Sequence, residues 1–255
     1  MVITDTHTHL YVEEFDEDRD SIIKASLAKG ITRFFIPAID ATYTSQMLAL
    51  EKAYPKNIFL MMGLHPTHVK ENWEEELNHV SLMLATHRYY AVGEIGIDLY
   101  WDKELLVIQQ HVFRAQIKLA KKHKLPIVIH CREAFEEVFE ILEEERGEDL
   151  FGVLHCFSGD LVQANKAISY NMKLGIGGIV TFKNGKVDTF LNKIPIENIV
   201  LETDAPYLAP VPYRGKRNES GYISKVLEKV ALLYNLSTAE VAAITTENSK
   251  QVFGV

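Results

Sequence analysis

The chain has 255 residues, 47% hydrophobic and 24% charged, a composition that excludes disordered and collagen-like architectures. A compact chain of this length buries about 70–75% of the surface its unfolded form exposes, so a single domain spanning 1–255 needs no disulfide or structural metal to hold it. The formal net charge of −8 excludes a protein that coats nucleic acid through bulk positive charge, but leaves room for local contact with anions.

Short β-branched or aromatic runs alternate with longer stretches of helical period, the pattern of βα units around a parallel sheet. In chain order the pattern predicts strands at 2–6, 31–36, 58–62, 90–94, 126–130, 151–155, 172–176 and 198–203, each followed by a helical segment. The segment 103–122 carries Leu105, Ile108, Val112, Ala115 and Leu119 on one stripe, and 136–145, 161–169 and 223–234 behave similarly. Eight such units predict an α/β fold, a single (β/α)8 TIM barrel, although an open doubly wound sheet shares the alternation. A polar stretch at 206–220 follows the eighth strand, and a loop that long in a compact domain is usually functional. With only Cys131 and Cys156, and a start MVITDTHTHL lacking a basic or continuously apolar segment, a reducing, cytoplasmic location is expected. No apolar run approaches the ~20 residues that cross a bilayer, so no membrane association is expected.

The histidines carry the chemistry. His7 and His9 stand two apart at the end of the first strand, so both imidazoles project to one side. Glu94 ends the fourth predicted strand, His130 the fifth and His155 the sixth, while Asp204 follows the eighth. In a barrel these strand ends converge on the catalytic face. Mixed nitrogen and oxygen donors suit a borderline or hard divalent ion such as Zn, Mn, Mg, Ni or Fe, and six of them exceed the three that a single catalytic zinc takes. Two ions are therefore expected. His65 ends strand three on the same face and is expected to touch substrate or order the metal ligands. His79, His87, His111 and His123 fall in or beside helices and read as surface or core residues. Cys131 and Cys156 each follow a ligand histidine and are expected to point away from it as small packing groups. Asp5 shares the parity of His7 and His9, and either orients an imidazole or pairs elsewhere; Glu202 is assigned a supporting hydrogen bond or ion pair.

With these residues in hand, the chain resembles the TatD family of metal-dependent deoxyribonucleases within the amidohydrolase superfamily. The resemblance runs through DTHTHL at 5–10, GLHP at 63–66, VGEIGID at 92–98, Gln109 with Phe113 and Gln116, PIVIHCREA at 126–134, HCFSG at 155–159, LETDAPYLAP at 201–210 and RGKRN at 214–218. The chain departs from the family pattern at GIDLYW, 96–101, and at Ser220, both off the proposed ligands. The resemblance implies a TIM barrel with His7, His9, Glu94 and Asp204 around one metal, Glu94, His130 and His155 around the other, and Glu94 bridging. It also implies a Mg-dependent or related nuclease acting as a 3′–5′ exonuclease on DNA.

The expected reaction is phosphodiester hydrolysis by a metal-activated water, with two Mg, Mn or Zn ions per subunit, Glu94 as bridge, and Asp204 as both ligand and general base. Arg132, Arg214, Lys216 and Arg217 are the expected phosphate contacts, beside a solvated basic loop as the plainer alternative. Tyr207, Tyr213, Tyr100 and Trp101 share that face, placed either to stack unpaired bases or to pack beneath their loops. The expected partner is single-stranded or frayed 3′-end DNA, met by a monomer. Two rivals remain open at this stage: a lactonase, amidase or phosphotriesterase on the same scaffold, and a metal- and DNA-binding protein without turnover.

Overall fold

The computed structural model describes residues 1–101 and 103–255. The eight strands form as β1 (Ile3–Asp5), β2 (Ile31–Ile36), β3 (Ile58–Leu60), β4 (Val92–Asp98), β5 (Ile127–Arg132), β6 (Gly152–Leu154), β7 (Met172–Ile176) and β8 (Ile199–Leu201). They lie in two sheets of order β1-β2-β3 and β4-β5-β6-β7-β8, with every pairing parallel. Backbone hydrogen bonds cross both gaps between the sheets. At one, Met62 N–H donates to Ala91 O (3.1 Å) and Gly93 N–H to Met62 O (3.0 Å). At the other, Thr6 N–H donates to Leu201 O (3.0 Å) and Asp204 N–H to His7 O (2.9 Å), so the outer strands of each sheet are engaged by the other.

The helices are α1 (Arg19–Ala28), α2 (Thr44–Ala53), α3 (Trp73–Thr86), α4 (Leu106–His123), α5 (Phe135–Glu144), α6 (Leu161–Ser169), α7 (Ile223–Tyr234) and α8 (Thr238–Phe253). The expectation of a helix after every strand fails between β7 and β8. That connection is built of short 3-10 turns, Gly178–Thr181, Val187–Thr189, Leu191–Lys193 and Ile196–Asn198. Gly177, Gly178 and Gly185 at its start and Pro195 near its end disfavour a continuous α-helix there. The terminal helices compensate: from α7, the Tyr234 hydroxyl lies 2.7 Å from Leu191 O and 2.8 Å from Ile194 O, fastening the helix over the turns.

The core has two parts. Phe35, Met61, Ala91, Val128, Val153 and Val200, one in or next to each of six strands, form an inner cluster, and Val252 and Phe253 of α8 pack onto it. The Phe253 ring stacks on Phe35 at 4.1 Å. A larger cluster, including Ile36, Ile95, Ile129 and Leu174 from the strands and Val112, Phe113, Ile117 and Val226 from the helices, forms the sheet–helix layer.

β4 extends beyond the predicted 90–94 and bulges. Gly93 pairs with Val128 and Ile95 with Ile129, which leaves Glu94 as the extra residue. The strand then runs on to the pair Asp98–Arg132, so Glu94 and His130 stand inside strands rather than at their ends as expected. The continuation depends on Gly96, whose φ is +141° and whose place could hold no side chain: a Cβ there would lie 2.0 Å from His130 O. Among the described residues, no helix is long and apolar enough to cross a membrane.

Candidate metal centre

Glu94, turned inward by the bulge and 2% exposed, is the hub of the site. Its Oε2 lies 3.0 Å from His7 Nε2 and 3.6 Å from His9 Nε2. Its Oε1 lies 2.8 Å from His155 Nε2, 2.8 Å from His130 Nδ1 and 3.3 Å from His65 Nε2. Asp204 Oδ1 adds to the first side, 3.6 Å from His9 Nε2 and 3.9 Å from His7 Nε2. The six residues expected to hold metal are thus brought together, with one carboxylate oxygen facing each half of the set.

The outer contacts hold the rings in orientation. Tyr11 hydroxyl donates to Pro37 O at 2.8 Å, so its oxygen is free to accept from His9 Nδ1 at 3.2 Å. The His9 Nε2 faces Glu94 Oε2 and Asp204 Oδ1, each at 3.6 Å. His130 is held in the same manner, its Nε2 2.8 Å from Asp98 Oδ2 and its Nδ1 toward Glu94. Glu202, fully buried, stands 3.5 Å from His155 Nδ1 and accepts the Cys156 N–H at 2.5 Å, backing the third imidazole. Against burial, the contacts with Asp98 and Glu94 raise the His130 imidazole and Glu94 with Glu202 raises that of His155, so these nitrogens and oxygens draw positive charge between them, a proton or a metal ion. Donor separations of 3.0–3.9 Å around Glu94 Oε2 and Asp204 Oδ1 bracket the ~3.4 Å edge of a tetrahedron with ligand bonds near 2.1 Å. Among the described residues, three donor groups lie within 4.8 Å among themselves: His7, His9 and Glu94; His7, His155 and Asp204; and His65, Glu94 and His130. This chemistry fits divalent ions with mixed nitrogen and oxygen ligation.

Charge in the site follows from burial set against neighbours. Burial alone would raise the Glu94 carboxyl, but His155, His65 and His7 outweigh it and hold it well below the usual range. Burial likewise opposes ionisation of Asp204, and the surrounding histidines, His9 first, overcome it. Burial pushes His65 down to about 4. Its Nδ1 accepts the Thr67 N–H at 3.1 Å, so the neutral ring carries its proton on Nε2, which faces Glu94 Oε1 at 3.3 Å. Asp204 also has φ +58° and Cys156 φ +47°, two left-handed residues beside the ligands, where the surrounding structure must hold a sparsely populated backbone.

The centre forms the floor of a cavity of about 690 Å³ whose walls include His65, Trp101, Arg132 and Tyr207. Arg214 and Lys216 are exposed and do not line it; the Arg214 guanidinium stacks over Phe182 at 3.7 Å. Arg217 is an anchor for its loop, binding Asp18 at 2.6 and 2.9 Å. Cys131 and Cys156 line the cavity rather than facing away. Strand alternation does not govern Cys156, which lies past the end of β6 with its left-handed backbone. Burial pushes the Cys131 thiol up to about 12 and also raises Cys156 well above its ordinary value, so neither is a thiolate nucleophile at neutral pH. Asp5 orients no imidazole. Its carboxylate accepts from Thr203 N–H (2.9 Å) and hydroxyl (2.7 Å), tying β1 to the turn that carries Asp204. His79, His87 and His111 lie off the cavity against Thr44, Glu51 and Trp73. Sequence reasoning missed Asp98 and Tyr11 as supports of ligand histidines. Asp98 lay within VGEIGID, but nothing in the spacing paired it with a residue 32 positions away.

A buried set of imidazoles and carboxylates, gathered where parallel strands open into a cavity, defines a metal-dependent hydrolase. The chain belongs to the family described as TatD related DNase, which matches residues 4–254. It is 38% identical to YabD of Bacillus subtilis, an uncharacterized metal-dependent hydrolase, over the full length of both chains. It is 30% identical to YcfH of Escherichia coli, also an uncharacterized metal-dependent hydrolase, across all of this chain and 97% of that one. Among solved structures, YjjV, a TatD homolog from Escherichia coli, superposes with a TM-score of 0.92 at 28% identity, covering 99% of this chain and 98% of that one.

Proposed function

We propose that the protein is a deoxyribonuclease that removes nucleotides from the 3′ ends of single-stranded or frayed DNA, using two divalent cations, Mg, Mn or Zn. In this reading it is a cytoplasmic monomer, and the cross-sheet hydrogen bonds close its strands into one (β/α)8 barrel. The observation that carries the reading is the division of Glu94, with Oε2 toward His7 and His9 and Oε1 toward His130 and His155, beneath a cavity walled by Arg132.

His7, His9, Asp204 and Glu94 would hold one cation, and Glu94, His130 and His155 the other. When bound, the pair offsets the charge of a phosphodiester and lowers the pKa of water toward about 7. The protein's own groups do the rest. Asp204, kept ionised by its histidines, accepts a proton from the attacking water at Oδ1. His65 Nε2–H donates to a non-bridging phosphate oxygen and, being neutral, adds no charge to the site. Arg132, on the cavity wall, supplies a planar fork of donors to a phosphate. Tyr207, also on the wall and 47% exposed, offers a ring face to the departing nucleotide.

An oligonucleotide labelled at the 5′ end, single- or double-stranded, incubated with Mg, Mn or Zn and with a chelator, tests this reading. The expected result is a ladder shortening from the 3′ end, faster on single strands, abolished by chelation and absent in a folded His130→Ala variant. Hydrolysis of lactones with none of oligonucleotides, or full turnover by His130→Ala, would overturn it.

A further inference from the structure

Trp101 is 69% exposed, yet it stands on the wall of the cavity above the metal centre rather than on an outer helix. Its neighbour Tyr100 is 49% exposed, and the two rings meet edge to face at 5.0 Å. Solvated aromatics on a mobile turn would be an aggregation hazard without a use, but this turn is pinned. The N–H groups of Tyr100 and Trp101 both donate to Asp98 Oδ1 at 3.0 Å, while Asp98 Oδ2 lies 2.8 Å from His130 Nε2. One carboxylate therefore sets the aromatic pair and a ligand histidine in a fixed relation. The Arg132 guanidinium lies 3.7 Å from the centroid of Tyr100 and 5.7 Å from that of Trp101. Among the described residues it has no carboxylate partner. Tyr100 is thus engaged by the cation, and Trp101 remains the more open ring.

An open indole beside a cation with no acidic partner among the described residues is complementary to a ligand that is both aromatic and anionic. A nucleotide has both properties; a small lactone or amide has neither. We infer that Trp101 is the platform on which the base adjoining the scissile phosphate stacks, with Arg132, braced by Tyr100, meeting a phosphate beside it. This rests on the deoxyribonuclease reading and adds to it a subsite that is tolerant of base identity, because stacking uses a face that every base presents. Asp98 acts here as a positioning residue, holding the platform in register with the metal centre.

Trp101→Ala is expected to raise KM on single-stranded oligonucleotides about 5- to 150-fold while kcat stays within about twofold, and Trp101→Phe to recover most of the loss. On an oligonucleotide whose terminal 3′ residue is abasic, the wild type and Trp101→Ala are expected to share one KM. An unchanged KM in Trp101→Ala on the normal substrate, or an equal loss on the abasic one, would overturn the inference. If the wild type hydrolyses no oligonucleotide, the functional reading fails, and the subsite is still tested by fluorescence with deoxyadenosine monophosphate as probe. The nucleotide is expected to quench wild-type emission and leave Trp101→Ala, which retains Trp73, unquenched, with deoxyribose 5-phosphate inert toward both. Quenching that survives in Trp101→Ala, or that deoxyribose 5-phosphate reproduces, would refute stacking at this ring.

Discussion

Asp98 faces two ways, one oxygen to His130 and the other to the turn at 100–101. Burial opposes its ionisation, but the contact with His130 and the N–H groups of Trp101 and Tyr100 outweigh it, so it stays a carboxylate near neutrality. Removing it leaves His130 Nε2 without its acceptor and lets the ring turn away from Glu94. Asp98→Ala is therefore expected to weaken divalent-ion binding about 10- to 100-fold, read by competition with a chelating dye, and Asp98→Asn to weaken it less. Equal affinity in Asp98→Ala and the wild type would show that His130 needs no such support. At this scale the clustered residues of the candidate centre were legible because residue type and position relative to a strand mark them: His7 and His9 by alternation, His155 and Asp204 by their place after apolar runs. Their supports were not. Tyr11 and Asp98 reach the imidazoles through folded geometry that no local period encodes.

The strands were legible as apolar runs, and so was the loop after β8, while the bulge in β4 and the missing helix before β8 were not. A bulge is one residue of extra register, invisible until the partner strand is known, yet it turns Glu94 inward. The turns between β7 and β8 failed for the opposite reason: alternation of strand and helix elsewhere suggested a helix that the local glycines and proline disfavour. The preceding strand, β7, makes room for the site. A Cβ on Gly175 in β7 would lie 2.2 Å from Glu202 Oε2 and 3.0 Å from the Cα of His155. Gly175→Ala is expected to cost about 1–3 kcal/mol in a urea titration, through overpacking, and to lower activity more than the stability loss explains, because Glu202 is pushed from behind His155. An alanine variant with wild-type midpoint and turnover would mean that Glu202 has room to move without consequence.

Across the whole molecule, the metal centre and the inner core draw on the same strands with separate residues, Val128 and Val153 standing two residues before His130 and His155. Six strands supply the inner cluster, and Phe253 from the last helix packs on it against Phe35. Phe253→Ala should open a void there and destabilise the protein by about 3–5 kcal/mol in denaturant, while leaving divalent-ion affinity of the folded protein unchanged. A loss of affinity at temperatures where the variant is folded would show that the core and the centre are coupled. The architecture was legible from eight repeats of one pattern; the packing of the C-terminal helix onto the inner core was not, since Val252 and Phe253 read equally well as the end of any amphipathic helix. The net charge of −8 also reads differently in the folded molecule. It counts Glu94 and Asp204 as free anions, whereas two divalent cations at the centre would halve it. Two-ion chemistry at this centre requires Glu94 to be divided between the ions. Protein stripped with a chelator and titrated with manganese, with bound metal and cleavage of a labelled single strand followed in the same samples, should gain activity up to two equivalents per chain, and Glu94→Gln should bind less metal and cleave nothing. Turnover in the stripped protein, or a plateau at one equivalent that Glu94→Gln reproduces, would contradict it.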